Sequence, residues 1–182
     1  MTRPLLRKLN AYSLLGLLLL VGSLLSNNQV VHADERLQPN PQLGFQLIDG
    51  RKLSLQDLAG RPVFITFWAT TCPNCVEEIP LLSTLYRELA PSGFEIIAVA
   101  MPYDRPDFVV QMKQELAIPY PIALDLEGEA VNAFGIRYTP NGFLLDENGR
   151  IIKHYVGMVD LSELRTAITS ITQRMVRKGA FE

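Results

Sequence analysis

The sequence predicts an α/β domain built on a mixed β-sheet, and three observations carry that prediction. Apolar, β-branched runs alternate with segments of helical spacing between residues 63 and 134. Two pairs of short extended runs, within 45–55 and 143–156, are joined by turn signals containing Asp-Gly or Asn-Gly. Residues 161–175 then close the pattern as an amphipathic helix.

Each element has its own signal. Residues 34–42 form a polar leader with two prolines. Phe45-Gln46-Leu47-Ile48 and Lys52-Leu53-Ser54-Leu55 flank Asp49-Gly50, a hairpin signature. Residues 54–58, followed by Gly60, read as a helical turn, and Val63 to Trp68 as a buried strand. A helix starts at Cys72-Pro73, where proline suits the first helical position, and runs to about Ala90 before Pro91-Ser92-Gly93. Pro80 lies inside it and is expected to kink it. Residues 94–101 are continuously apolar, the mark of a strand covered on both faces. Helical spacing over 107–116, a short strand at 121–124 and a short helix over 127–134 follow. Residues 143–145 and 151–156 form the second hairpin around Asp146-Glu147-Asn148-Gly149. The closing helix presents Leu161, Leu164, Ala167, Ile168, Ile171 and Met175 on one side.

The N-terminus reads differently. Arg3, Arg7 and Lys8 precede an apolar run from Ala11 to Leu25, and Val31-His32-Ala33 offers small or aliphatic residues where a signal peptidase reads. Residues 1–33 are therefore expected to be a secretory signal peptide, with an uncleaved membrane anchor as the alternative, and residues 34–182 the folded domain. The run is shorter than the roughly 20 residues a spanning helix needs. Without residues 1–33 the chain keeps 14 basic and 19 acidic residues, a net charge of −5. That balance argues against nucleic-acid binding. His154 is then the sole histidine, too few soft ligands for a Cys/His zinc site, so no metal or cofactor is expected.

The chemistry concentrates at Cys72-Pro73-Asn74-Cys75, which holds the protein's only two cysteines. The thiolate is the nucleophile in disulfide exchange, and a free cysteine has a pKa of about 8.5. A helix N-terminus favours the thiolate through its unpaired N–H groups and partial positive charge. Cys72 is therefore expected to be the exposed attacking thiol and Cys75 the buried resolving one. A purely structural disulfide is the competing reading. It is disfavoured because a bridge across two residues closes almost no loop and adds little stability.

Phe67-Trp68-Ala69 ahead of this motif, Cys75-Val76-Glu77-Glu78-Ile79-Pro80 after its second cysteine, and Tyr138-Thr139-Pro140 far downstream together resemble the thioredoxin superfamily, more closely its TlpA/ResA-like thiol-disulfide oxidoreductases. The resemblance spans about residues 38–176 and implies a thioredoxin-like fold: a central mixed β-sheet flanked by helices, with an N-terminal β-hairpin and an extra βα insertion over residues 107–124. It implies that Pro140 is the cis-proline of the fold and that Thr139, Pro140, Pro73 and Trp68 meet the substrate, Trp68 serving as both core and active-site wall. It also implies that Glu78 is the buried acid serving Cys75. Helix spacing turns Glu77 to the solvated side, and His154 on an edge-like strand reads as a surface residue. Three departures stand out. Thr71 replaces the family's common Trp before the first cysteine, Asn141-Gly142 replaces Thr-Thr after the late proline, and Thr66 stands where thioredoxin carries a buried Asp.

The expected activity is that of a monomeric protein-disulfide reductase in the periplasm or another extracytoplasmic space. Such relatives act on protein thiols, apocytochrome c or copper-site proteins among them, and are recharged by a membrane thiol transporter. The runner-up is a Cu(I)-binding chaperone of the same fold, since soft thiolates select Cu(I). Sco-like chaperones, however, use three residues between their cysteines and a ligand histidine. A peroxiredoxin is disfavoured because the T-x-x-C arrangement is missing, and a DsbA-type oxidant because its long helical insertion is missing.

Overall fold

The structure is a computed structural model and describes residues 38–179. The expected signal peptide or anchor over residues 1–33 lies outside the described residues. Among the described residues, no helix is long and apolar enough to cross a membrane.

Seven strands form one mixed sheet. They are β1 (Gly44–Leu47), β2 (Lys52–Ser54), β3 (Val63–Trp68), β4 (Glu95–Ala100), β5 (Ile122–Leu124), β6 (Asn141–Leu145) and β7 (Ile151–Val156). Among the described residues four α-helices accompany them: α1 (Pro73–Leu89), α2 (Pro106–Glu115), α3 (Glu129–Ala133) and α4 (Leu161–Gly179). The strand order is β2-β1-β5-β4-β3-β6-β7. β3 and β5 each pair parallel with β4, while both hairpins pair antiparallel at the flanks. This is the mixed α/β sheet with helices that the sequence patterning predicts.

β3 is central, and all six of its residues are buried. Its period-2 alternation divides the core in two. Phe64 and Trp68, with Ile96 and Ala98 of β4, face α1, α2 and α4. Val63, Ile65 and Phe67 face the other way, onto Phe45 and Leu47 of β1 and onto Ala130 of α3. On the first side, Ile79, Leu82 and Leu85 of α1 meet Leu164, Ile168 and Ile171 of α4, the stripe that its spacing predicts.

α1 runs unbroken through Pro80. Pro80 sits on the exposed side of the helix, and the Thr84 hydroxyl donates to its carbonyl at 3.0 Å. Ile79 and Leu82 are buried in the core on the opposite side, so packing keeps the helix continuous past a residue that removes one of its hydrogen bonds.

Candidate active site

β3 ends at Trp68, and after three intervening residues Cys72 caps α1 with Pro73 in its first turn. The Cys72 N–H donates to the Ala69 carbonyl at 3.1 Å, closing a tight turn. The Cys72 sulfur in turn accepts the Cys75 N–H at 3.2 Å, so it occupies the anion-favouring end of the helix. Cys72 and Cys75 are joined in a disulfide with their Cα atoms 5.2 Å apart. The two sulfurs are unequal in access. Cys72 is half-buried at the surface, whereas Cys75 is 2% exposed and belongs to the core.

Helix spacing separates the two glutamates. Glu77 is exposed, and Glu78 is 4% exposed on the sheet-facing side. Glu78 lines a small cavity of about 10 Å³ together with Cys75, Thr66, Trp68 and Tyr120. Burial pushes the Glu78 carboxyl above its ordinary range, and the hydrogen bond it accepts from the Val159 N–H at 2.6 Å partly opposes that rise. Burial likewise pushes the Tyr120 hydroxyl up, which keeps it neutral beside the acid. The chain therefore holds a titratable carboxyl beneath the inner cysteine, on a helix that also carries the outer one.

The Thr139–Pro140 peptide bond is cis. Asn141 pairs with Phe67, so Pro140 lies alongside the end of β3 that leads into Cys72. Pro140 is buried, Thr139 is half-buried, and the Pro140 carbonyl accepts the Gly157 N–H at 3.0 Å. Pro73 is exposed beside Cys72. Trp68, expected as both core and active-site wall and among the substrate contacts, is 3% exposed. As the last residue of β3 it turns into the core and walls the cavity under Cys75. Its indole N–H is buried without a hydrogen-bond partner.

The Asn141-Gly142 departure has a steric cause. A Cβ at Gly142 would sit 2.4 Å and 2.7 Å from two ring atoms of Phe64. Gly142 pairs with Thr66, which puts Phe64 diagonally across the strands on the same face. The aromatic ring fills the space a side chain would need. Asn141 is buried, and its side-chain oxygen lies 2.7 Å from Nε2 of His154, whose ring stacks on Phe143 at 4.2 Å. His154 is exposed, as expected of it.

Two contributors had no local signal in the sequence. Val159 reaches Glu78 from 81 residues away, and Asp104 reaches Thr70 from 34 residues away. Both act across the fold, through a backbone amide or a loop carboxylate, and no spacing rule connects them to the cysteines.

Comparison with known proteins is consistent with this geometry. Residues 37–168 match the model of the Redoxin family. The thiol-disulfide oxidoreductase ResA of Bacillus thuringiensis subsp. konkukian is 32% identical over 126 residues, covering 69% of this chain and 72% of that protein. ResA of Bacillus subtilis is 27% identical over 117 residues, 64% of this chain and 65% of its own. Among solved structures, a putative thioredoxin from Neisseria meningitidis superposes with a TM-score of 0.69 at 30% identity, covering 74% of this chain and 89% of that one.

Proposed function

The chain belongs to the Redoxin family as a ResA-like thiol-disulfide oxidoreductase, and from that premise we propose that it reduces disulfides of proteins outside the cytoplasm. The observation that carries this reading is the unequal access of the two sulfurs, with Glu78 lining the same cavity as the inner one.

In the reduced form, the Cys72 thiolate attacks one sulfur of a substrate disulfide. A Cys72–substrate disulfide forms, and the other substrate sulfur leaves and takes up a proton. Cys75 then attacks the Cys72 sulfur, giving the Cys72–Cys75 disulfide and releasing the second substrate thiol. Glu78 accepts the Cys75 proton during this second attack, because burial raises its pKa and so makes it a stronger base than an exposed carboxylate. Two electrons and two protons pass from the dithiol to the substrate. Thr139 and Pro140 form the edge against which an extended substrate segment lies, and Pro73 shields the outer sulfur from one side. Trp68 supports the site from within. A membrane thiol transporter returns the electrons, and the apolar N-terminal segment brings the chain to the compartment where disulfides persist.

The test uses the full chain, reduced and then freed of reductant. It should release about two thiols from insulin per protein molecule, and Cys72→Ser should release none. Equilibration with glutathione should give a potential towards the thioredoxin end of the range, about −270 mV, rather than the oxidant end near −120 mV. A value near the oxidant end would reverse the proposed direction, and thiol release by Cys72→Ser would remove the nucleophile assignment.

A further inference from the structure

Asp104 lies in the loop between β4 and α2 and is 6% exposed. Its Oδ2 accepts the Thr70 N–H at 2.6 Å, and its Oδ1 accepts the Thr70 hydroxyl at 2.6 Å. Thr70 is the middle of the three residues that carry the chain from β3 to Cys72. The turn before the outer cysteine is thus held at two points: the Ala69 carbonyl from within, and a buried carboxylate from the neighbouring loop. Met101 fastens that neighbouring loop in turn, its N–H donating to the Trp68 carbonyl at 3.0 Å. Short hydrogen bonds to an ionised acceptor are among the stronger ones in proteins. No step of the proposed reaction uses this carboxylate, yet it sits buried against the loop that sets the outer sulfur.

We propose that Asp104 is a positioning residue that fixes the Cys72 turn through Thr70 and, by its buried negative charge, holds back ionisation of the Cys72 thiol. The proposal rests on Cys72 being the attacking thiol. Helix α1 favours the thiolate at its N-cap, and a carboxylate clamped two residues earlier opposes that preference. The opposition raises the thiol pKa and stabilises the oxidised form, which suits a protein that gives electrons away. Buried Glu78 on α1 lies beneath Cys75, not at the Thr70 turn, and is common to the parent and both variants; the other charged groups on the surrounding elements weigh less. Glu77 on α1 and Glu115 on α2 are exposed and screened by solvent. Arg105 and Asp107, also exposed, pair with each other at 2.6 Å.

Two variants push in opposite directions. Asp104→Asn keeps the shape: its oxygen can accept the Thr70 N–H while its amide donates to the hydroxyl, and the charge is gone. The Cys72 pKa, read from the pH dependence of alkylation in the reduced full chain, should fall by about one unit. Alkylation at pH 7 should quicken about threefold, less than the roughly tenfold rise in thiolate fraction, because the intrinsic nucleophilicity of a thiolate falls with its pKa. The potential against glutathione should become more oxidising. Thr70→Val removes one donor from the carboxylate and leaves the charge less neutralised, so the Cys72 pKa should rise. Both variants should retain the parent's circular dichroism. An Asp104→Asn protein whose Cys72 titrates as in the parent would overturn the proposal and reduce the clamp to a structural contact. Should Asp104→Asn fail to fold, an unchanged or lowered Cys72 pKa in Thr70→Val overturns it equally. In the parent protein, faster labelling of Cys75 than of Cys72 would instead defeat the reading of the reaction itself.

Discussion

Gly142→Ala should be among the costliest single-methyl additions in this fold. The glycine lies outside the left-handed region, so its backbone accepts alanine and the cost is purely steric. The new Cβ would meet the Phe64 ring at 2.4 Å and 2.7 Å, against a comfortable carbon–carbon separation of about 3.5–4.0 Å. Relief requires the ring to move by about 1 Å, and it has little room. Phe64 is 1% exposed, and the edge-on Tyr155 ring closes one side with its centroid 5.9 Å away. Overpacking of this kind costs about 1–3 kcal/mol, and a rigid aromatic neighbour puts the value near 3. For a domain of this size that is a fall in Tm of about 6–10 °C. Phe64→Leu removes the obstacle at the expense of core volume. The double variant should then be about as stable as Phe64→Leu alone, a coupling of at least ~1.5 kcal/mol between adjacent sites. Urea unfolding of the four oxidised proteins measures this cycle directly. A Gly142→Ala protein within about 0.5 kcal/mol of the parent, or a strictly additive double variant, would refute the steric account.

Glu78→Gln should slow reduction of a protein disulfide by about 10²-fold at pH 7, the low end for loss of an acid–base group, whereas the exposed Glu77→Gln should match the parent; equal rates for all three proteins would place the proton with solvent. The same variant has a stability signature. Because the folded-state pKa of Glu78 is raised, the folded protein holds more protons than the unfolded chain between the ordinary carboxyl value, about 4.3, and the raised one, so stability falls as pH climbs through that window. Urea midpoints against pH should slope downward there in the parent and less so in Glu78→Gln; identical slopes would mean the buried carboxyl does not titrate in that range. Fractionation of cells producing the full chain should recover the folded domain outside the cytoplasm, and recovery of all of it inside would remove the proposed substrates. The reduced protein, purified with copper present and then dialysed, should retain less than one copper per chain; stoichiometric retention would favour the chaperone reading.

Local chemistry was the legible part of this molecule. The strand-to-helix junction at Trp68 to Cys72 announces itself through a β-branched run, a break and a helix-starting proline, and the stripe on α4 through its spacing. Glu78 was separable from Glu77 because one residue on a helix turns a side chain by about 100°. What escaped was long-range. Nothing near Gly142 in the chain reports the Phe64 ring above it. The Asp104–Thr70 and Val159–Glu78 hydrogen bonds join residues whose proximity exists only after the sheet and helices assemble. Trp68 reads as core and active-site wall, but the cavity it walls with Tyr120 and Ala98 exists only once the sheet and helices assemble.

Trapping the mixed disulfide tests the central claim most directly. Reduced Cys75→Ser protein is mixed with a disulfide-bonded protein substrate, and the products are separated without reductant and digested for mass spectrometry. The account predicts a stable one-to-one adduct linked through Cys72, and no comparable adduct from Cys72→Ser. An adduct formed through Cys75 in Cys72→Ser, with none from Cys75→Ser, would contradict it.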